Sequence, residues 1–113
     1  MDNQVQNFLL EAYKEGSYYH SLQQFLTRRI EKGLSAATIA RLFYNLHRIG
    51  NGRSESLDNP PIDQLSRAWL KSYVKACWLS YAPDTMRTMI GDIRQFFKWL
   101  KTTATLLKTS PSQ

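Results

Sequence analysis

The stretch Pro83–Leu100, PDTMRTMIGDIRQFFKWL, carries an apolar stripe and a basic one on the same run of residues. Met86, Met89, Ile90, Ile93, Phe96, Phe97 and Leu100 recur at steps of three and four. That spacing gathers side chains on one side of a helix of about 3.6 residues per turn. Pro83 stands at the first helical position, where its missing amide costs nothing. The other side is expected to face water. It holds Arg87, Thr88, Gly91, Asp92, Gln95 and Lys98, with Arg94 on its flank. Long cations beside small or hydrogen-bonding side chains suit a polyanion.

The same design occurs earlier in the chain, displaced by 47 positions. Thr38 matches Thr85, Ile39 matches Met86, Leu42 matches Met89, Phe43 matches Ile90, Leu46 matches Ile93 and Ile49 matches Phe96. The pattern reads as a duplication. The outer face of this earlier helix is expected to carry Arg41, Tyr44, Asn45 and Arg48.

Around these two helices the chain divides readily. At 113 residues it suffices for one domain with a modest core. Hydrophobic residues at 42% and aromatics at 12% are enough to build that core and argue against disorder. Residues 1–16 hold Val5, Phe8, Leu9, Ala12 and Tyr13 at helical spacing but are short and end at Gly16, which predicts a weak helix or a tail, ordered by docking if at all. Residues 17–101 form the body. Its first helix runs from Tyr18 to Lys32 on Leu22, Phe25, Leu26 and Ile30, with Gly33 placed as a left-handed C-terminal residue. Ser35 then caps the second helix through the amide of Thr38 or its neighbour. Residues 51–65, with Pro60 and Pro61, read as a loop between halves. Leu65 and Ser66 open a third helix through Trp69, Leu70, Tyr73, Val74, Cys77 and Trp78, ending near Ser80. Residues 102–113 read as a C-terminal linker or tail.

The net charge of +6 and pI near 9.7 favour nucleic acid or an anionic surface as partner. Residues 17–53 hold six Lys or Arg against one acid and residues 66–101 hold seven against two, while Glu55, Asp58 and Asp63 lie between them. The positive charge thus belongs to the two helical halves. No run of about 18 apolar residues is present to span a bilayer, and the start lacks the pattern of a signal peptide, so a cytoplasmic location is expected. Cys77, the one cysteine, sits on an apolar pattern and is expected to be a buried thiol.

Taken in order, GLSAATIARLFYNLHRI, an acidic Pro-containing loop, a further helix and APDTMRTMIGDIRQFFKWL form a recognisable set. It resembles the N-terminal core-binding (SAM-like) domain of tyrosine recombinases, the phage-integrase type, over about residues 18–101. Ala82 departs from the Ser cap usual in that pattern. The resemblance implies an all-α, single-domain bundle of four main helices, to which a short N-terminal helix is added here. It also implies a non-catalytic role. The bundle would clamp duplex DNA for integration or recombination, while a C-terminal catalytic domain outside this chain grips the other face and recombinase subunits pack in a synaptic assembly. In the family the second and fourth helices face DNA, which maps onto Thr38, Arg41, Tyr44, Asn45 and Arg48, and onto Thr85, Arg87, Thr88, Gly91, Arg94 and Lys98.

No cofactor or metal is expected. His20 and His47 stand singly, without a metal-ligand partner at close spacing or an Arg three residues on, and are expected on helix surfaces. Tyr44 has no cationic pocket written around it to make it a nucleophile. Phe96, Phe97 and Trp99 are read as core in preference to a base-stacking platform. Gly91 costs about 1 kcal/mol relative to Ala in mid-helix, which calls for close helix packing or close approach of a phosphate. Arg28, Arg29 and Lys32 complement the dipole of their helix end or add a phosphate anchor. The rival reading is a helical interaction module whose basic faces bind an acidic protein.

Overall fold

The computed structural model describes residues 2–50 and 67–108. Among them are five helices and no strand: α1 (Asn3–Leu10), α2 (Tyr18–Glu31), α3 (Ala36–Gly50), α4 (Arg67–Trp78) and α5 (Pro83–Lys108). The expected all-α bundle is present, with α1 added to the four main helices. The loop expected over 51–65, the cap at Ser66 and residues 109–113 lie outside the described residues.

The local chemistry that starts and stops these helices is largely that of the sequence. The Ser17 hydroxyl accepts from the amide of His20 at 3.2 Å and opens α2. At its far end Gly33 takes φ 87°, a conformation that costs a side chain more than it costs glycine. The amide of Gly33 then donates to the Ile30 carbonyl and that of Leu34 to the Arg29 carbonyl, so the last turn of α2 is satisfied. Two residues later Ser35 accepts from the Thr38 amide at 3.2 Å and starts α3. The short turn after Trp78 reverses the chain into α5, where Pro83 is the first residue.

α2, α3 and α5 pack on one another, α4 packs on α5, and α1 on α2. The apolar positions read from the spacing become the core: Leu22, Phe25, Leu26, Ile39, Leu42, Leu46, Ile49, Met86, Met89 and Phe96 are all fully buried. Tyr18 lies among them, and its hydroxyl donates to the Leu46 carbonyl at 2.7 Å. Phe96 meets Tyr18 edge-on at 5.5 Å and Phe25 at 5.1 Å, joining α2 to α5. Trp99 extends this packing, half-buried against Phe25. Of the aromatic trio Phe96 is core, as its stripe implied, and Phe97 and Trp99 are partly buried against it. Cys77 is buried as well.

Of the two options for residues 1–16 the helix is the one present, and docking orders it: in α1 Val5 and Phe8 are buried, and the Gln23 amide donates to the carbonyls of Phe8 and Glu11, each at 2.6 Å. These contacts supply what an eight-residue helix lacks by itself. Other expectations are corrected. α5 runs on to Lys108, past the point at which a linker was expected. Trp78, counted with the apolar stripe of α4, is 47% exposed. His47 is not on an open surface. It stacks on Tyr19 at 4.6 Å and meets Phe8 and Phe43.

Phe96 and Leu10 differ widely in burial, at 0% and 85% exposure. Phe96→Ala is expected to lower the unfolding free energy by about 3–5 kcal/mol, and Leu10→Ala to change it by less than about 0.5 kcal/mol. Urea denaturation followed by circular dichroism reads both.

Candidate nucleic-acid interface

The outer face of α5 is built by helical spacing. With Met86, Met89, Ile93 and Phe96 turned inward, Arg87, Gly91, Arg94 and Lys98 fall on the opposite side, and all four are exposed. Arg87 and Lys98 stand about 17 Å apart along the axis at 1.5 Å per residue. Lys101 continues the stripe and is exposed. Arg87 makes a loose ion pair with Asp84 at 3.5 Å, with both side chains largely in water. Arg94 and Lys98 pair with no acid among the described residues. Thr85 and Thr88 are exposed at the start of the helix, where the Thr88 hydroxyl donates to the Asp84 carbonyl at 3.3 Å. A Cβ added to Gly91 would meet nothing within 4 Å, so no helix packing explains the glycine.

The polar residues of α3 are arranged otherwise. Asp92, expected on the wet face of α5, is 4% exposed. The Arg41 guanidinium donates to both of its oxygens, Nε to Oδ2 at 3.2 Å and Nη2 to Oδ1 at 3.1 Å. The Asn45 amide donates to Oδ2 at 2.8 Å. Asn45 is itself buried, a correction to the exposed face expected of it. Its carbonyl oxygen accepts from Arg48 Nη2 at 3.3 Å. Arg48 Nη1 donates in turn to the Tyr81 hydroxyl at 2.9 Å, and the guanidinium lies 5.4 Å from the Tyr81 ring centre. Arg41, Asn45 and Arg48 therefore join α3 to α5 and to the turn before it. A buried carboxylate requires such partners.

Tyr44 remains exposed, yet its hydroxyl donates to the Asp2 carboxylate at 2.8 Å. This bond holds the Asp2 carboxyl below its usual range and pushes the Tyr44 phenol up. Thr38 is half-buried, with its hydroxyl 3.0 Å from that of Ser35. Of the eleven candidate residues, the six on α5 are all exposed and four of them, Arg87, Gly91, Arg94 and Lys98, share one face, while the five on α3 are mostly engaged within the fold. Asp92, Tyr81 and Asp2 are the functional partners that spacing missed. One signal did exist for Asp92: it lies 47 positions from Asn45, so equivalent positions of the two helices meet.

Among the described residues no three His, Cys, Asp or Glu side chains gather to hold a metal, and no helix is long and apolar enough to cross a membrane. Compared with protein-family models, with curated proteins and with solved structures, the chain matches none.

Two measurements probe this geometry. Asp92→Ala leaves the Asn45 amide buried without its acceptor and Arg41 without its counter-charge. It is expected to cost about 2–3 kcal/mol in chemical denaturation, below the value for a fully buried pair because the Arg41 side chain is 49% exposed. Burial holds the His47 imidazole below its usual value of 6.5. Between that lowered value and 6.5 the unfolded chain binds more protons than the folded one, so stability is to fall as pH drops through this window. His47→Gln removes the loss, and the His47 ring protons are to titrate below 6.5 by NMR.

Proposed function

We propose that this chain is a DNA-binding domain of the core-binding type found in tyrosine recombinases, clamping duplex DNA while the chemistry is done by a catalytic domain outside it. The observation that carries the reading is the open stripe Arg87, Arg94 and Lys98 set around an exposed mid-helix glycine. Three long cations on one rigid helix face present a row of positive charge to the phosphates, and Gly91 leaves room for a backbone to approach the helix between them. A duplex suits this face better than a single strand. The aromatics of this helix, Phe96, Phe97 and Trp99, are packed in or against the core and offer no stacking platform for bases. The resemblance over residues 18–101 supplies the recombinase setting, and with it the partner subunits of a synaptic assembly.

Because Arg41, Asn45 and Arg48 are engaged inside the fold, α5 is the main contact and α3 its support. Contacts of this kind neutralise phosphates and carry little sequence information. Binding is then steeply salt-dependent, with a log-log slope of about −0.9 for each phosphate neutralised.

An NMR titration of labelled protein with a short duplex tests the reading. Amide shifts are expected to gather over residues 84–98 and to fade with salt, and Arg94→Gln with Lys98→Gln is expected to flatten the salt slope by about two units. Gly91→Ala separates fold from function. It is expected to stabilise the protein by about 1 kcal/mol in thermal or urea unfolding, since nothing meets the added methyl, and to weaken DNA binding. If the α5 amides stay still at low salt with DNA in excess, the reading fails.

A further inference from the structure

A second cationic row lies on α4. Arg67, Lys71 and Lys75 stand at i, i+4 and i+8, all exposed, on a helix without a single Asp or Glu. None makes an ion pair with a described residue. Trp78 continues the same face at i+11, 47% exposed, and Leu79 follows it at 90%. The opposite face of α4 is occupied, with Tyr73 and Cys77 in the core and Trp69 stacked on Tyr73 at 5.6 Å.

We propose that this outer face of α4 docks an acidic amphipathic helix of a partner protein, with carboxylates opposite Arg67, Lys71 and Lys75 and an apolar side chain against Trp78 and Leu79. The match is geometric. Successive i, i+4 cations rise about 6 Å along the helix, the rise of carboxylates at i, i+4 on a second helix laid beside it. The apolar end decides the class of partner. Two large exposed apolar side chains gain nothing from a row of phosphates, whereas desolvating them against a partner's apolar residue is favourable. The charges steer and orient the encounter, and the Trp78 end supplies a buried anchor. The surface belongs to neither the basic stripe of α5 nor the polar network of α3.

The test uses the full chain and a labelled helical peptide with Glu at three successive i, i+4 positions and Leu one turn further on, followed by fluorescence anisotropy. Lys71→Gln with Lys75→Gln is compared with Arg94→Gln with Lys98→Gln, two pairs that change the net charge equally. The α4 pair is expected to weaken peptide binding by about fivefold or more and the α5 pair to leave it near its original value. Trp78→Ser is expected to weaken it severalfold, and this effect is to vanish when the peptide's Leu is replaced by Ser. The proposal is overturned by a peptide that does not bind, by equal losses from both pairs, or by indifference to Trp78. It is equally overturned if the α4 pair weakens duplex binding as much as the α5 pair does, which would make α4 part of the DNA face. Loss of binding to phosphatidylserine vesicles in the α4 variants, with no peptide binding, would assign the surface to a membrane instead. Failure of the duplex to respond to the α5 pair sinks the DNA reading and leaves the peptide result standing.

Discussion

Asp92 is a carboxylate that the fold removes from water, and such a group is tolerated only when charge and hydrogen bonds replace the lost hydration. Arg41 and Asn45 supply them from α3. A pair of this kind is weak as a source of net stability, because desolvation offsets much of the attraction. Its effect is on register. A shift of α5 by one residue would move Asp92 away from the guanidinium fork and leave an uncompensated charge inside. With α3 and α5 locked in this way, Ile39, Leu42 and Leu46 share one buried core with Met86, Met89 and Phe96, and the outer face of α5 is left exposed.

The same lock explains which cations are available for binding. Arg41 and Arg48 carry full charges, yet their donors are directed at Asp92, Asn45, Tyr81 and the Tyr44 carbonyl. A phosphate would have to compete with these partners. Arg94 and Lys98 face no such competition from the described residues. Counting charge along the chain treats the two halves as equal, with a surplus of five positive charges in each. The structure divides them into structural and open sets.

Much of the fold was legible in the sequence. The apolar positions of α3 and α5 recur with a clean helical period, and Gly33 and Ser35 act locally, so their roles as stop and cap follow from neighbours only a few residues away. What was not legible depends on contacts between distant residues. Asp92 looks like any polar residue on a wet face until Arg41 and Asn45 are placed beside it. Asn45 reads as a hydrogen-bonding surface residue for the same reason. Trp78 sits at an apolar position of its helix, but the packing of α4 ends before it. α1 is too short to be stable alone, and its order comes from Gln23 on another helix and from Phe8 entering an aromatic cluster. For the candidate site, spacing placed Arg87, Gly91, Arg94 and Lys98 on one exposed face and misjudged the α3 set.

Equivalent positions of the two helices differ in what they carry. Arg94 on α5 corresponds to His47 on α3, Arg87 to Ala40, and Gly91 to Tyr44. On α3 two of these positions lie toward α1: His47 meets Phe8 at 5.5 Å, and Tyr44 is bonded to Asp2. On α5 the corresponding positions have no described helix over them and carry long cations around a bare glycine. One helical design has thus been put to two uses. Where α1 covers it, the outer positions hold an aromatic and a half-buried imidazole that reward packing. Where no described residue covers it, they hold residues that packing does not explain, and Gly91 keeps a helix-weakening choice that an alanine would relieve without a clash. Among the described residues the fold gains nothing from that local cost, and a phosphate drawn close to the helix, as proposed, would account for it.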